Sequence, residues 1–586
     1  LDWVFKDGDA RRPDQGGNMS GIFKTKVDDD GMGNEASPAY NSLWRNLFRS
    51  ISDILALYPK YTRNSFINNP KYKKMFQAPV RLGCIGKFSP HIGDTGSTGS
   101  PGLASVSAAD LVYAFQTFGD AEFAQMAALL NGGSAKGLRG GIFDTEPESV
   151  EPRIEAILKE RGPCVLKTDN MPSYGCAILR SGAGENARAL SLYYGRNIGH
   201  GHRDTLNVEL FGHGLNLMPD LGYPEYATAD CASRFEWTSH TISHNTVTVD
   251  QRRQQTNLIG KSNFVVEGSE VSAAEVLSDE AYPQTSLYQR TVAMVDVSDE
   301  DFYVVDIFRV KGGKTHDYIF HGLPFAEFRT SGLALSDAQA NGTLMGEDIE
   351  FGKTFDGMKT GGYQYLTNVR RADAARPWSA DWLLKCKKIG LRMTMPGGSA
   401  REVIIADGVP EAAPGNPDRM EYVLARNDTG ASTFVSVIEP YKEKPSVRRV
   451  MTLEPDFAFP GELAAVRVDA GGRTDYLFSR IAGAGSVLFE DGKVEFAGEF
   501  GFISEDNSGV TSMTLVNGSV LRKGDHIIHV DAPSRAKIAA VDYRANTITL
   551  DRALPTPTAL IGQVVVISNP RHSASFTVKS AETQDN

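Results

Sequence analysis

The sequence predicts a multidomain α+β protein, helical at first and antiparallel β afterwards. Three observations predict it. A chain of 586 residues is longer than one hydrophobic core organises, which implies roughly two to four domains. Up to about residue 160, apolar side chains recur at three- and four-residue steps, the period of a helix with one buried face. Beyond about residue 165 the pattern changes to short β-branched and aromatic runs punctuated by Gly, Asn and Asp, the grammar of antiparallel strands and turns.

In chain order, the first clear helix starts near Tyr40 and carries Leu43, Trp44, Leu47, Phe48, Ile51, Ile54, Leu55 and Tyr58, read as one buried face. The Gly/Ser-rich stretch GDTGSTGSPG at 93–102 is a loop, and HIGD at 91–94 before it is a candidate for shaping a cleft. Ser107 is a candidate N-cap for a helix through Leu111, Phe115 and Phe118, followed after Gly-Asp by AEFAQMAALL. EPRIEAILKE at 151–160 is the last helical segment. Strands follow in CAILRS, HNTVTVD, DFYVVDIFRV, EVIIAD and TFVSVIEPY, and from about residue 450 in HIIHVD, NTITLD and GQVVVISN. The domain reading is therefore 1–160 helical, 161–450 antiparallel β, and 451–586 a smaller C-terminal β-domain, with no repeat of fixed period.

Composition narrows the function. Hydrophobic residues make up 41% and charged residues 23%, and no run approaches the roughly 18 apolar residues of a membrane span, so no membrane partner is expected. A formal net charge of −11 repels nucleic acid and leaves any anionic substrate to local Arg and Lys groups. Cys84, Cys164, Cys176, Cys231 and Cys386 are odd in number and form no CxxC pair, which favours singly buried thiols over disulfides or a thiolate zinc site. The chain starts at Leu1 without Met or signal peptide and as if mid-domain, from which the reading expects upstream sequence to be missing.

Five of the eleven histidines, His200, His202, His213, His240 and His244, fall between residues 200 and 244. Read as a strand, GHGHRDTLNVELFG puts His200 and His202 on one face. A turn at Gly212-His213-Gly214 then returns Asp220 to the side of His202, and His244 opens another strand. His202, Asp220 and His244 are a ligand set that suits Zn²⁺, while isolated strand histidines are usually structural or surface residues.

An ordered series of motifs carries a resemblance: DDDGMGNEASPAYN (28–41), SYGCAILRSG (173–182), YYGRNIGHGHRDTLNVELFG (193–212), MPDLGYPEY (218–226), TISHNTVTVD (241–250), DIFRVKGGKTHDYIFHG (306–322) and FVSVIEPY (434–441). Together they resemble the heparinase II/III-like polysaccharide lyases. The resemblance implies an N-terminal α/α toroid, partial here, followed by an antiparallel β-sandwich, with the active site in the cleft between them. It implies that Tyr40 is the catalytic acid and that His200 lies in the active site. It further implies that His202, Asp220 and His244 bind a largely structural zinc ion. Two features depart from the family pattern. No histidine precedes His91, so the family's earlier catalytic His lies upstream of Leu1 or is lacking. The second Tyr of the alginate-active branch matches either Tyr223 or Tyr226.

The implied reaction is β-elimination on a uronic-acid polysaccharide. The C6 carboxylate must be neutralised as charge develops, a base must take the C5 proton, and an acid must protonate the leaving oxygen. Tyr40 serves as acid, or as acid and base when both lie on one side of the ring, and His200 orients the substrate or assists neutralisation. Arg203 and Arg234, with Arg252 and Arg253, are candidates for holding a polyanion, against the alternative of a solvated charged face. The expected partner is an anionic polysaccharide or oligosaccharide such as alginate, heparan sulfate or hyaluronan. A homo-oligomer is left open, and function places the protein outside the cytoplasm, secreted or periplasmic. The alternatives are a zinc hydrolase built on the HxH pair and a carbohydrate-binding protein with a degenerate lyase site.

Overall fold

The computed structural model describes residues 2–6, 16–17, 19–58, 66–103, 106–223, 231–354, 361–410, 412–458, 462–481, 485–530, 535–542, 545–554, 557–569 and 573–583. Helices come first and antiparallel sheets after, in the predicted order. The helices are α1 (Asp2–Phe5), α2 (Met19–Lys26), α3 (Pro38–Ala56), α4 (Pro70–Arg81), α5 (Ala108–Phe118), α6 (Ala121–Leu130) and α7 (Val150–Arg161). They share a core that includes Phe23, Phe48, Phe66, Tyr72, Phe76, Leu111, Phe115, Phe123 and Ile154. Each such side chain contributes about 1.5–3 kcal/mol on leaving water.

Local chemistry explains the helix starts. Ser107 caps α5 as expected, in a reciprocal capping box with Asp110. Ser37 caps α3, its side chain accepting from Tyr40 N–H, with Pro38 in the first turn. The face of α3 differs from the expectation. Its buried residues are Pro38, Asn41, Ser42, Arg45, Phe48, Ser52 and Leu55, whereas Leu43, Leu47, Ile54 and Tyr58 are exposed. The helix core covers only one side of α3, and that side takes polar groups because Arg45 reaches Asp110 at 3.5 Å.

The first sheet is a meander of β1 (Asp169–Met171), β2 (Cys176–Ser181), β3 (Arg188–Tyr193), β4 (Val208–Gly212) and β5 (Leu215–Asn216). β6 (Val247–Val249) is the edge strand of another five-stranded sheet, pairing with His316–His321. Both share a core with one face of an eight-stranded antiparallel sheet containing Leu287–Asp296, Phe302–Lys311 and Ala431–Lys442. The nearly unbroken apolar run FYVVDIFRVK is buried on both faces: Val304, Phe308 and Val310 enter one core, Tyr303, Val305 and Ile307 the other. That second core is completed by Val466, Val468, Leu477, Phe500 and Phe502 of the sheet formed by residues 447–516.

Helices and sheets meet at a seam where Met32, Ala78, Leu82, Cys84 and Ile92 pack on Tyr174, Cys176, Ile178, Tyr193 and Phe211. Cys84 and Cys176 are buried there as expected, while Cys164 and Cys231 are half-buried and Cys386 is exposed; none of the five is in a disulfide. Among the described residues no helix is long and apolar enough to cross a membrane.

Candidate active site and metal site

Three loops converge at the seam: 27–37 before α3, 89–102 between α4 and α5, and 194–207 between β3 and β4. Backbone hydrogen bonds join them. Ala36 N–H donates to Ile198 and Gly199 carbonyls at 3.0 Å, and Asp94 N–H donates to the His200 carbonyl at 2.9 Å. Ser37, besides capping α3, donates its hydroxyl to the Asp94 carbonyl at 2.8 Å. Gly93 permits this approach: its φ is +55° and a Cβ there would lie 2.3 Å from the His200 carbonyl oxygen.

This corrects the strand reading of the histidine motif. His200 and His202 lie in a loop, with β4 beginning only at Val208. The carbonyls of Ile198, Gly199 and His200 accept from the helical half instead of joining a ladder, and His200 sits at φ +51°. The two side chains therefore do not share a face. His200 emerges into the cleft, 37% exposed, while His202 is 1% exposed. His244 likewise precedes its strand, ending a single 3-10 turn at Thr241–Ser243 before β6.

In the cleft, the Tyr40 and His200 rings stack with centroids 3.5 Å apart and planes 4° from parallel. The Tyr40 hydroxyl shares a 3.0 Å hydrogen bond with the Tyr223 hydroxyl, and the imidazole Nδ1 of His200 lies 2.6 Å from Glu35 Oε2. The hydrogen bond to Tyr223, then burial, then the charges of Tyr223 and Asp94 push the Tyr40 phenol up to about 12, against the pull of Arg234. The Tyr40 phenol is thus held protonated across neutral pH.

Of the two tyrosines left open, Tyr223 is the one that meets Tyr40; Tyr226 lies outside the described residues. Arg234 opens a turn of π-helix, Arg234–Thr238, closed by Ser239 N–H on the Arg234 carbonyl at 2.9 Å. Its guanidinium donates to Asp94 Oδ2 at 3.0 Å. Arg203 turns elsewhere, donating to the carbonyl and side-chain oxygens of Asn197 at 3.0 and 2.7 Å. Burial, then neighbouring Arg253, lowers its pKa.

Beneath the cleft, His202, Asp220 and His244 are each at most 1% exposed, and one ligand atom from each lies within 4.8 Å of the others. This buried group could hold a metal ion. The residues fit one. His202 Nδ1 and His244 Nε2 are buried without hydrogen-bond partners, an expensive state for polar atoms that ligation relieves. Burial alone would raise Asp220, but the charge and hydrogen bond of His244, at 2.7 Å, with His202, bring it down to about 2. Asn207 Nδ2 and Gly222 N–H also donate to its carboxylate, at 3.2 and 3.3 Å.

Sequence reasoning missed Glu35 and Asp94. Glu35 stood inside the motif that ends in Tyr40, and Asp94 closed the HIGD stretch already placed near a cleft. His91, in the same stretch, is fully buried and sets its Nδ1 3.2 Å from the Asp220 carbonyl, so it serves the framework.

Comparison with known proteins bears on the fold that carries this site. Residues 166–369 match the family model described as Heparinase II/III-like, C-terminal. That segment contains His200, His202, Asp220, Tyr223, Arg234 and His244. The chain is 25% identical over 292 residues to an exo-oligoalginate lyase of Saccharophagus degradans, covering 45% of this chain and 37% of that protein. Its backbone is similar to heparan sulfate lyase HepC from Pedobacter heparinus, with a TM-score of 0.55, 14% identity, and coverage of 80% of this chain and 61% of that one. A heparinase III structure gives a TM-score of 0.53 at 13% identity, covering 79% and 62%. The chain thus spans under two thirds of the length of these relatives, and the likeness establishes the heparinase III-like multidomain fold.

Proposed function

We propose that the protein is a polysaccharide lyase that cleaves a uronic-acid-containing polysaccharide or oligosaccharide by β-elimination, leaving an unsaturated uronate end. One observation carries the reading: a phenol from the helical half, Tyr40, stacks on an imidazole from the sheet half, His200, at an open cleft, with a second phenol in hydrogen-bond contact.

Each step of the elimination has a group suited to it. Arg234, 19% exposed and electrostatically coupled to Tyr40, neutralises the C6 carboxylate as the C5 proton becomes acidic. Tyr40, kept protonated, delivers a proton to the leaving oxygen. Tyr223, joined to it through the shared hydrogen bond, takes the C5 proton while passing its own hydroxyl proton to the Tyr40 oxygen, which replaces the one Tyr40 gives to the leaving group. His200, held by Glu35, flanks Tyr40 and orients the sugar. The alternative of one phenol acting as both base and acid uses the same pair.

His202, Asp220 and His244 hold a zinc ion, which when bound cross-links the 194–207 loop, the segment after β5 and the approach to β6. Their complete burial favours a structural role over a hydrolytic one, because a hydrolytic zinc needs an open position reached by substrate. The substrate is an anionic uronate polymer, with alginate and glycosaminoglycans as its two candidate classes, and the protein works where such polymers occur, outside the cell or in the periplasm.

The experiment is a panel of alginate, heparan sulfate, hyaluronan and other uronate polymers, followed by the ultraviolet absorbance of the new conjugated double bond. Turnover of at least one, abolished in Tyr40→Phe, is expected. A hydrolysed product lacking the double bond, or full activity in Tyr40→Phe, overturns the assignment.

A further inference from the structure

Asp94 sends each of its polar atoms to a different part of the site. Its N–H donates to the His200 carbonyl at 2.9 Å, and its carbonyl accepts from Ser37, the cap that sets Tyr40, at 2.8 Å. Carboxylate Oδ1 meets His202 Nε2 at 2.9 Å, and Oδ2 accepts from Arg234 at 3.0 Å. The residue is 1% exposed. A carboxylate so placed has few alternative partners, so what holds one oxygen also fixes the other.

We propose that Asp94 is a positioning residue that couples the metal site to substrate binding: the tautomer of His202 decides where Arg234 stands. The argument rests on proton placement. With the Nε2 hydrogen pointing at Asp94 Oδ1, His202 leaves Nδ1 as a lone pair, and that nitrogen is the buried one without a partner. A histidine that ligates a metal through one nitrogen and donates from the other to a carboxylate is locked in that tautomer. Asp94 then keeps Oδ2 toward the cleft, and Arg234 is held beside Tyr40 and Tyr223. In the other tautomer, Nε2 presents a lone pair to Oδ1. The contact becomes repulsive, the carboxylate turns, and Arg234 loses this hydrogen bond. Loading of the buried group is thereby read out at the surface, although His202 itself never meets the substrate.

This inference deepens the lyase reading, because it assigns Arg234 to the uronate carboxylate, but its test has arms that need no turnover. The metal arm titrates zinc against a competing chelator; the arginine arm measures modification of Arg234 by phenylglyoxal, read by mass spectrometry. Asp94→Asn, which cannot accept from both partners, weakens zinc binding by about 10-fold or more and speeds Arg234 modification severalfold. Chelated wild type speeds the same modification without any substitution. Arg234→Ala also weakens zinc binding, by a smaller factor than Asp94→Asn, since a coupling through Asp94 is reciprocal. With a uronate substrate in hand, Asp94→Asn raises KM more than it lowers kcat.

Unchanged zinc affinity in Asp94→Asn, or unchanged Arg234 reactivity in chelated wild type, overturns the proposal. If Asp94→Asn fails to fold, chelated wild type decides alone. If no uronate polymer is cleaved, the lyase reading fails while the zinc and labelling arms still judge the coupling.

Discussion

His200 and His202 are separated by one glycine, yet they belong to regions built on opposite principles. Around His200 the groups are aromatic, stacked and half-exposed: Tyr40, Tyr223 and a carboxylate, Glu35, reach the cleft. Around His202 they are sealed, with Asp220, His244 and Asp94 at or below 1% exposure. Water can reach the first set, so it can exchange protons with a substrate. The second set gains strength from exclusion, because charges in a dry interior interact strongly and an unpaired one is costly. Both sets pair an imidazole with a carboxylate; burial sets them apart.

The contrast is sharpened most by breaking one side at a time. Tyr40→Phe should cut kcat by about 10²–10⁴-fold, the usual worth of a positioned proton donor, while melting temperature and zinc content stay at wild-type values. Calorimetry and metal analysis alongside kinetics check this, and a parallel loss of stability would erase the division. His244→Ala should do the reverse in kind, leaving Asp220 buried without its 2.7 Å partner at a cost of about 3–5 kcal/mol in denaturant unfolding.

A third effect is pH-dependent. Burial, then Arg253 and His244, lowers His240 from 6.5 to about 3, so below pH 6.5 the unfolded chain takes a proton that the folded one refuses. Stability contributed by this residue is complete above pH 6.5 and is lost as pH falls toward 3, by about 1.4 kcal/mol per unit. His240→Gln, whose amide can still accept from Ile242 N–H, should flatten that slope in unfolding measured across the range.

Tyr223→Phe separates two roles, and the base proposed above predicts a loss as large as that of Tyr40→Phe. Removing the bond that raises Tyr40 most costs about 0.5–1.5 kcal/mol, a severalfold fall in kcat if Tyr223 only supports the acid. Tyr40 must be protonated to act as acid, so lowering its pKa from about 12 toward 10 brings the alkaline decline to lower pH. A loss as large as that of Tyr40→Phe would instead identify Tyr223 as the base.

Much of the site was legible beforehand. The ligand trio and the Tyr40–His200 pairing followed from motifs, and the structure brings each set together. What was not legible has a common physical origin. The strand reading of GHGH failed because the loop's backbone bonds go to Ala36 and Asp94 in the helical half, contacts that no local alternation encodes. The α3 face was misjudged because apolar spacing marks what can be buried; which neighbours cover it is a tertiary matter.

By itself the sequence determined the order of helices before sheets, the cap at Ser107, and the residues able to bind a metal or move a proton. These depend on periodicity and side-chain chemistry, which are local. Tertiary structure alone decided that Glu35 supports His200 across 165 positions, that Asp94 reaches His202 across 108, and that Tyr223 meets Tyr40 across 183. Those contacts are set by irregular loops pinned through backbone hydrogen bonds at a packed seam, and such loops have no repeat from which their direction can be read.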